Sequence, residues 1–251
     1  MYIIFKNILR KILPQKFLFK NEMIIRKILY LFYKGKNCEC NICNSKLRHF
    51  QKLKNGDILC PVCGSLPRTR RLFKLLNSEF LKPNFSVLEF SPHRIMYRNL
   101  KKRKDILYFP TDFENQFLAD YHFDITKIDA ESEKFDLIIC YHVLEHIEND
   151  DAAMKELYRV LKTGGTALIQ TPFKSGNIFE NPEIKTPEER LRHFGQEDHV
   201  RIYTAEILSE KLKNAGFSVE IRVFEKDDYY GLSENERIIV CGKNQAAAFN
   251  G

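Results

Sequence analysis

Short apolar runs alternate with amphipathic helical patterns from residue 86 to about residue 243, and this alternation constrains the fold more than any other feature. Six runs have the length and composition of strands: 86–90, 106–109, 135–141, 166–171, 217–223 and 237–241. Strands joined by helices form a mainly parallel sheet that is covered on both faces. The last two runs have no helix between them and should pair antiparallel at one edge. We therefore predict an α/β fold with a mainly parallel sheet and an antiparallel edge strand.

Two C-x2-C pairs precede this region and predict a metal site. Cys40 and Cys43 form the first pair, Cys60 and Cys63 form the second, and sixteen residues separate the pairs. Four thiolates at this spacing suit a tetrahedral, structural zinc ion. The small N-terminal zinc module should span residues 37–66.

The remaining cysteines fit a reducing compartment. The chain has seven cysteines, an odd number, which argues against a framework of disulfides. Cys38 is a spare that could compete with Cys40, whereas Cys140 and Cys241 lie in strands and should be core residues. We expect a cytoplasmic protein.

The positive charge of the chain is concentrated at its N-terminus. Residues 1–36 contain nine lysines and arginines and one acid, so they account for all of the net charge of +7, and the rest is near neutral. Apolar side chains recur at helical spacing in the same segment. These basic amphipathic helices predict peripheral attachment to an anionic membrane surface, on the inner face of the membrane. The alternative is a helix pair that packs on the body of the protein or on a second subunit.

Other composition arguments narrow the function classes. No apolar stretch is long enough to cross a bilayer, and the N-terminus does not have the pattern of a secretory signal. The near-neutral body argues against a nucleic-acid partner. We expect five segments: a basic head at 1–36, the zinc module at 37–66, a linker helix at 67–85, the main domain at 86–243 and a flexible tail at 244–251.

Acidic side chains follow the predicted strands at positions that suit a nucleotide-like ligand. Glu89 lies at the end of the first strand and Asp112, 23 residues later, follows the second. In doubly wound sheets, ligands bind beyond the carboxyl ends of the strands, and an acid about 20 residues on binds the ribose hydroxyls.

Several motifs then resemble a known family. HVLEH at 142–146 and ELYRVLKTGG at 156–165 are similar to the class I S-adenosylmethionine-dependent methyltransferases. CPVCGSLPRTRRL at 60–72, EERLRHFGQEDHVRIY at 188–203 and YYGLSENERIIVCGK at 229–243 resemble a bacterial subgroup that has an N-terminal zinc-knuckle module and is associated with surface polysaccharides. The resemblance covers about residues 40–243 and implies a Rossmann-like, seven-stranded, mainly parallel sheet with an antiparallel edge strand.

The resemblance implies roles for particular residues. Glu89 and Ser91 would lie near the methionine part of S-adenosylmethionine, Asp112 would bind the ribose, and Asp124 and Ile125 would bind the adenine. Cys140, Tyr141 and His142 would line the mouth of the fourth strand beside the methyl group. The first loop departs from the family, because Phe90-Ser-Pro-His-Arg94 contains no glycine. A helix N-terminus and Arg94 could still bind the methionine carboxylate.

Transfer to an oxygen acceptor requires a base, for which histidine is the usual side chain near pH 7. The candidates are His142, His146 and His199, with His193 in the same charged segment. The implied function is O-methylation of a glycan, glycolipid precursor or other small-molecule acceptor. Two alternatives remain: an RNA methyltransferase whose zinc module carries Arg68, Arg70 and Arg71, and a non-catalytic module that binds the cofactor.

Overall fold

A computed structural model describes residues 22–114, 116–176 and 179–244, and it divides them into two compact units. The first unit contains the described residues up to Glu79 together with Phe224–Glu236. The second runs from Phe80 to Val223 and resumes at Arg237. The predicted segment boundaries remain predictions.

The first unit begins with helix α1, Glu22–Tyr33. Leu29 and Tyr33 are buried, whereas the opposite face exposes four large apolar side chains: Ile24, Ile28, Leu31 and Phe32. It is one of the amphipathic helices predicted for the basic head. The rest of the predicted helical region, residues 1–21, lies outside the described residues.

Four short strands and one helix follow in the first unit. β1 (Lys34–Cys40) pairs antiparallel with β2 (Ser45–Leu47), and β3 (Gln51–Lys52) pairs antiparallel with β4 (Ile58–Leu59). Helix α2, Pro67–Leu75, begins with proline in its first turn, where the missing N–H costs no hydrogen bond. A wider π-helical turn, Leu76–Phe80, continues it.

The second unit has a central sheet whose strands alternate with helices, as predicted. Its strands are β5 (Ser86–Phe90), β6 (Leu107–Thr111), β7 (Phe135–Tyr141), β8 (Leu161–Gln170), β11 (Ser218–Phe224) and β12 (Glu236–Gly242). Its helices are α3 (Arg94–Leu100), α4 (Asp150–Val160), α5 (Pro187–Phe194) and α6 (Ala205–Asn214). A short pair, β9 (Phe179–Glu180) and β10 (Arg201–Ile202), lies outside the central sheet.

The strand order is β11-β12-β8-β7-β5-β6. β5, β6, β7 and β8 are parallel to their neighbours in this group, whereas β12 pairs antiparallel with β8. The buried face of the sheet packs on α4 and α6 through an apolar cluster that includes Ile138, Met154 and Leu208.

One detail of the predicted sheet was wrong: within the described residues the sheet has six strands, not seven. The last two strands, β11 and β12, lie side by side at one edge as predicted, and β12, which is antiparallel to β8, is the second strand from that edge. Beyond β6 the next segment makes only one parallel bridge, between Thr111 and Tyr121. The Thr111 hydroxyl accepts the backbone N–H of Phe123 at 2.7 Å, so a side chain binds a group that a further strand would use.

No helix among the described residues is long and apolar enough to cross a membrane.

Candidate methyl-transfer site and cysteine centre

The carboxyl ends of β5 and β6 bring together three residues predicted to bind the cofactor. Register pairs Phe90 of β5 with Thr111 of β6, so Ser91 and Asp112 leave the two strands side by side. The Ser91 hydroxyl donates to Oδ1 of Asp112 at 2.9 Å. Ser91 has a φ of 46°, a strained conformation for a residue other than glycine. Such strain often occurs at functional sites, and it turns the chain sharply away from the strand.

Three donors among the described residues reach the carboxylate of Asp112. Its Oδ2 accepts the backbone N–H of Gln116 at 2.6 Å and that of Phe117 at 3.0 Å, and its Oδ1 accepts the Ser91 hydroxyl. A carboxylate offers about four accepting sites, so this acidic group suits a ribose hydroxyl as a further donor.

Glu89 lies at the end of β5 and is buried. Its Oε2 accepts the hydroxyl of Tyr108 at 2.5 Å. Burial raises the pKa of Glu89 to about 7, and the hydrogen bond from Tyr108 opposes part of that rise. A carboxyl group in this position changes its charge near neutral pH.

The glycine-free loop after β5 places a side-chain cap on the first turn of α3. Nδ1 of His93 accepts the backbone N–H of Ile95 at 3.4 Å and so caps the first turn of α3. The cap occupies one of the N–H groups that were expected to bind a carboxylate.

The two residues predicted to bind adenine differ in exposure. Asp124 is half-buried, and its Oδ1 accepts the backbone N–H and the hydroxyl of Thr126 at 2.8 and 2.7 Å. Ile125 is buried in the apolar cluster beneath the sheet. Asp124 is therefore the accessible member of the pair.

The end of β7 carries the residues predicted to lie beside the methyl group. Cys140 belongs to the buried apolar cluster, and its burial raises the pKa of the thiol, so it remains protonated. Tyr141 is half-buried. His142 has a φ of 56°, and Nδ1 of its ring lies 3.2 Å from Oε1 of Glu145. The carboxylate favours the tautomer with its proton on Nδ1, which leaves Nε2 free to accept a proton.

Two more predicted base candidates meet near this turn. The rings of His146 and His199 lie 4.7 Å apart at right angles, and Nδ1 of His146 is 3.3 Å from Oδ2 of Asp198. Burial lowers the pKa of His199, and the charge of Glu145 opposes this. The structure does not bring His193 to this group, because His193 contacts Phe179.

One arginine fixes the geometry of this cluster. The Arg201 guanidinium donates to the backbone carbonyls of Leu144, Ile147 and Glu148, which enclose the turn that carries Glu145 and His146. The backbone N–H of Val200 also donates to the carbonyl of Glu145 at 2.9 Å.

A pocket of about 190 Å³ opens beside the cluster. Its polar lining includes Glu145, Thr171, Lys174, His199 and Tyr203. Lys174 and Arg201 add positive charge to this lining.

The four predicted zinc ligands converge in the first unit. Their sulfur atoms all lie within 4.8 Å of one another, with 3.6 Å between Cys40 and Cys63 and 3.8 Å between Cys43 and Cys60. A zinc ion bonded to four sulfurs at about 2.3 Å needs neighbouring sulfurs about 3.8 Å apart. The donor set therefore fits zinc. Cys38 is not part of the set, because its thiol points to the carbonyl of Leu47 at 3.6 Å.

Groups around the four sulfurs hold them in place. The Ser65 hydroxyl lies 3.2 Å from the sulfur of Cys63 and 3.4 Å from that of Cys40. Arg70 is fully buried and donates to Ser65, and it also donates to the carbonyls of Tyr230 and Gly231. Hydrogen bonds of this kind orient the ligands of a metal.

The sequence profile described as "Methyltransferase domain" matches residues 62–220, well over half of the chain. The chain belongs to the methyltransferase-domain family. Its matched region is an S-adenosylmethionine-dependent methyltransferase domain, and the strand-end residues described above lie within it.

Curated relatives of this methyltransferase domain carry matching names. A protein of Mycolicibacterium smegmatis named "Probable S-adenosylmethionine-dependent methyltransferase" is 31% identical over 99 residues, which cover 39% of this chain and 35% of that protein. The Sterol 24-C-methyltransferase of Clavispora lusitaniae is 31% identical over 107 residues, which cover 41% of this chain and 27% of the enzyme. The chain therefore spans about a third of the length of these relatives.

Solved structures share the fold. A chain of the complex between the Haloferax volcanii Trm112 methyltransferase activator and a methyltransferase aligns with a TM-score of 0.51 at 13% identity, over 69% of this chain and 89% of that one. Phosphoethanolamine N-methyltransferase 2 of Haemonchus contortus aligns with a TM-score of 0.50 at 16% identity, over 70% of this chain and 53% of that one.

Sequence reasoning missed three residues of this methyltransferase domain. Glu145 was visible within HVLEH but was not assigned a role, and neither Thr171 nor Lys174 was considered. The signal for Glu145 was its place between two histidines, three residues after one and next to the other. Thr171 and Lys174 carry no local signal, because only the fold places them in the pocket.

Proposed function

We propose that this chain uses S-adenosylmethionine to O-methylate a glycan or glycolipid precursor. The observation that supports the proposal most is the contact between Ser91 and Asp112 at the carboxyl ends of adjoining strands, within a methyltransferase domain. Bound S-adenosylmethionine supplies an electrophilic methyl group.

The residues of the strand ends would hold this cofactor. Asp112 would accept a ribose hydroxyl, Glu89 and Ser91 would lie along the methionine part, and Asp124 with Ile125 would contact the adenine. Cys140 and Tyr141 would border the methyl group, where the buried thiol excludes water.

His142 is the general base that the contacts favour among the candidates. Glu145 favours the tautomer of His142 that carries its proton on Nδ1. Nε2 of His142 can therefore accept the proton of an acceptor hydroxyl. The same pair would stabilise the imidazolium that forms, as a buried acid does for a catalytic histidine. His146 and His199 are the other candidates, and both contact a carboxylate or lie beside one.

The cysteine centre would have a structural role. Four cysteines complete the coordination of a tetrahedral ion, so a zinc ion there has no open position for an acceptor. Resemblance to the zinc-knuckle subgroup supports both the bound zinc and the association with surface polysaccharides.

The glycan assignment competes with methylation of RNA, which the arginines of the zinc module suggested. Arg70 and Arg71 are buried, and they bind carbonyls and Glu236 of their own unit. Neither guanidinium is available to a phosphate, which favours a glycan or other small-molecule acceptor.

We further propose a cytoplasmic protein attached to the inner face of the membrane through its basic head.

Mass spectrometry of surface glycans from the source organism, with and without the gene, tests the acceptor. We expect a mass increment of about 14 units, from a methyl group in place of a hydrogen atom, to disappear without the gene and to return with the unaltered gene. The His142→Gln variant should fail to restore it, although calorimetry should show that it binds S-adenosylhomocysteine within a few-fold of the unaltered protein. Unchanged glycans would contradict the glycan assignment, and no cofactor binding in either protein would favour a module without catalysis.

A further inference from the structure

Glu145, His146 and His199 form a cluster outside the strand ends that would hold the cofactor. Each offers one donor atom, and the three atoms lie within 4.8 Å of one another. Glu145 and His199 are 1% and 3% exposed, so both side chains are almost entirely buried. Buried ionisable groups are retained when they are paired or when they bind a ligand.

Two buried polar atoms of this cluster have no hydrogen-bond partner among the residues that the structure describes. They are Oε2 of Glu145 and Nε2 of His199, and both side chains line the pocket. An unpaired buried acceptor or donor is destabilising, because it has lost its hydrogen bonds to water without replacing them. A positive ion between a carboxylate oxygen and an imidazole nitrogen would compensate both.

The surroundings of the cluster match those of metal ligands. Asp198 approaches Nδ1 of His146, and His142 approaches the other oxygen of Glu145. Histidine ligands usually donate their second ring N–H to a carboxylate, and carboxylate ligands are usually hydrogen-bonded in turn. Arg201 braces the turn that carries two of the three residues.

We propose that Glu145, His146 and His199 bind a divalent transition-metal ion such as Zn²⁺ at the wall of the acceptor pocket. Two imidazoles and one carboxylate suit zinc in sites that keep an open coordination position. Since Glu145 and His199 line the pocket, that position would bind an oxygen of the acceptor. This role rests on the proposed methyl transfer, whereas the binding of the ion does not. It also removes His146 and His199 from the candidate bases and leaves His142.

Titration of the full-length protein with Zn²⁺, followed by elemental analysis after dialysis, tests the site. We expect one ion in the cysteine centre and one more per chain. His199→Ala and His146→Ala should each bind one ion fewer. His146 is partly exposed, so its loss should leave the fold intact even if the His199 variant does not fold. His193→Ala, which removes an exposed histidine from the same segment, should keep both ions.

Cobalt distinguishes the two centres. Co²⁺ in the cysteine centre gives intense sulfur-to-metal absorption, and Co²⁺ at the proposed site should add only weak visible bands that disappear in His146→Ala. Asp198→Asn, at an exposed position, should weaken binding of the second ion by about tenfold to a hundredfold. No ion beyond the cysteine centre, or unchanged stoichiometry in both histidine variants, would overturn the proposal. Binding of S-adenosylhomocysteine, measured on the same samples, separates that result from a failure of the methyltransferase assignment.

Discussion

Glu89 shows how the fold changes the chemistry of a single residue. It ends a strand of which every residue is buried, and its one described partner is the Tyr108 hydroxyl. Burial disfavours the charged form, so the pKa of the carboxyl group rises from 4.5 to about 7. Sequence reasoning located Glu89 at the strand end but could not predict this change, because Tyr108 and the burial come from the neighbouring strand.

Glu89→Gln should change the pH dependence of stability. The folded protein holds a proton on Glu89 up to about pH 7, whereas the unfolded chain releases it near pH 4.5. Stability from this group is therefore present below pH 4.5 and is lost as the pH rises to 7, by about 3 kcal/mol. Glutamine has no such loss, so the variant should gain on the natural protein over that range. Urea unfolding at pH 4.5 and pH 8 measures this, and parallel pH profiles would contradict the assigned pKa.

Asp112→Ala should weaken binding of S-adenosylhomocysteine by about tenfold to a hundredfold, because a charge-assisted hydrogen bond contributes about 1.5–3 kcal/mol. The substitution should also loosen the backbone at Gln116 and Phe117, because their N–H groups lose the carboxylate oxygen that accepts them. Calorimetry measures the affinity, and Asp105→Ala, which removes a surface acid outside the site, is the control. Equal affinity in the two variants would show that the ribose lies elsewhere.

At the scale of elements, the positions of the strands could be predicted from the sequence, whereas the number of strands in the sheet and the contacts of Arg70 could not. The runs at 86–90 and 135–141 form β5 and β7 at the predicted residues, because buried parallel strands are continuous apolar runs. The predicted seventh strand is not formed among the described residues, where the segment after β6 makes an isolated parallel bridge between Thr111 and Tyr121. The sequence suggested that Arg70 could bind RNA, but Arg70 is buried and two of its partners, Tyr230 and Gly231, lie about 160 residues further along the chain.

The four-cysteine centre gives a test that distinguishes Cys40, a predicted ligand, from Cys38, which lies two residues before it. Cys40→Ser should lose the zinc and unfold the first unit, because the ion supplies much of the folding energy of such small modules. Cys38→Ser should keep one zinc per chain, since that thiol contacts Leu47 and not the four-sulfur cluster. Elemental analysis of both variants decides between them. Zinc loss in the Cys38 variant would mean that the ligand set is wrong.

At the scale of the whole molecule, charge and exposed apolar surface coincide in the basic head. Helix α1 exposes Ile24 by 61%, Leu31 by 72% and Phe32 by 58%, with Lys27 exposed among them. Exposed apolar side chains clustered on one face mark an interaction surface more often than scattered ones do. The basic residues nearby would favour an anionic partner. The proposed lipid surface would offer both negative charge and a place to bury the apolar side chains.

The full-length protein should therefore bind vesicles that contain anionic lipid, and bind them less as salt is raised. Each basic group near such a surface contributes about 1 kcal/mol, and salt screens this part but not the burial of apolar side chains. Leu31→Glu with Phe32→Glu should reduce flotation with vesicles at low salt, because both side chains lie on the exposed face of α1. Leu107→Glu, which alters an equally exposed apolar side chain in β6, should float like the natural protein.

Deleting residues 1–36 should abolish flotation and leave binding of S-adenosylhomocysteine intact, since every residue assigned to the cofactor follows residue 86. Loss of that binding, or flotation that the double substitution does not change, would favour a head that packs against protein.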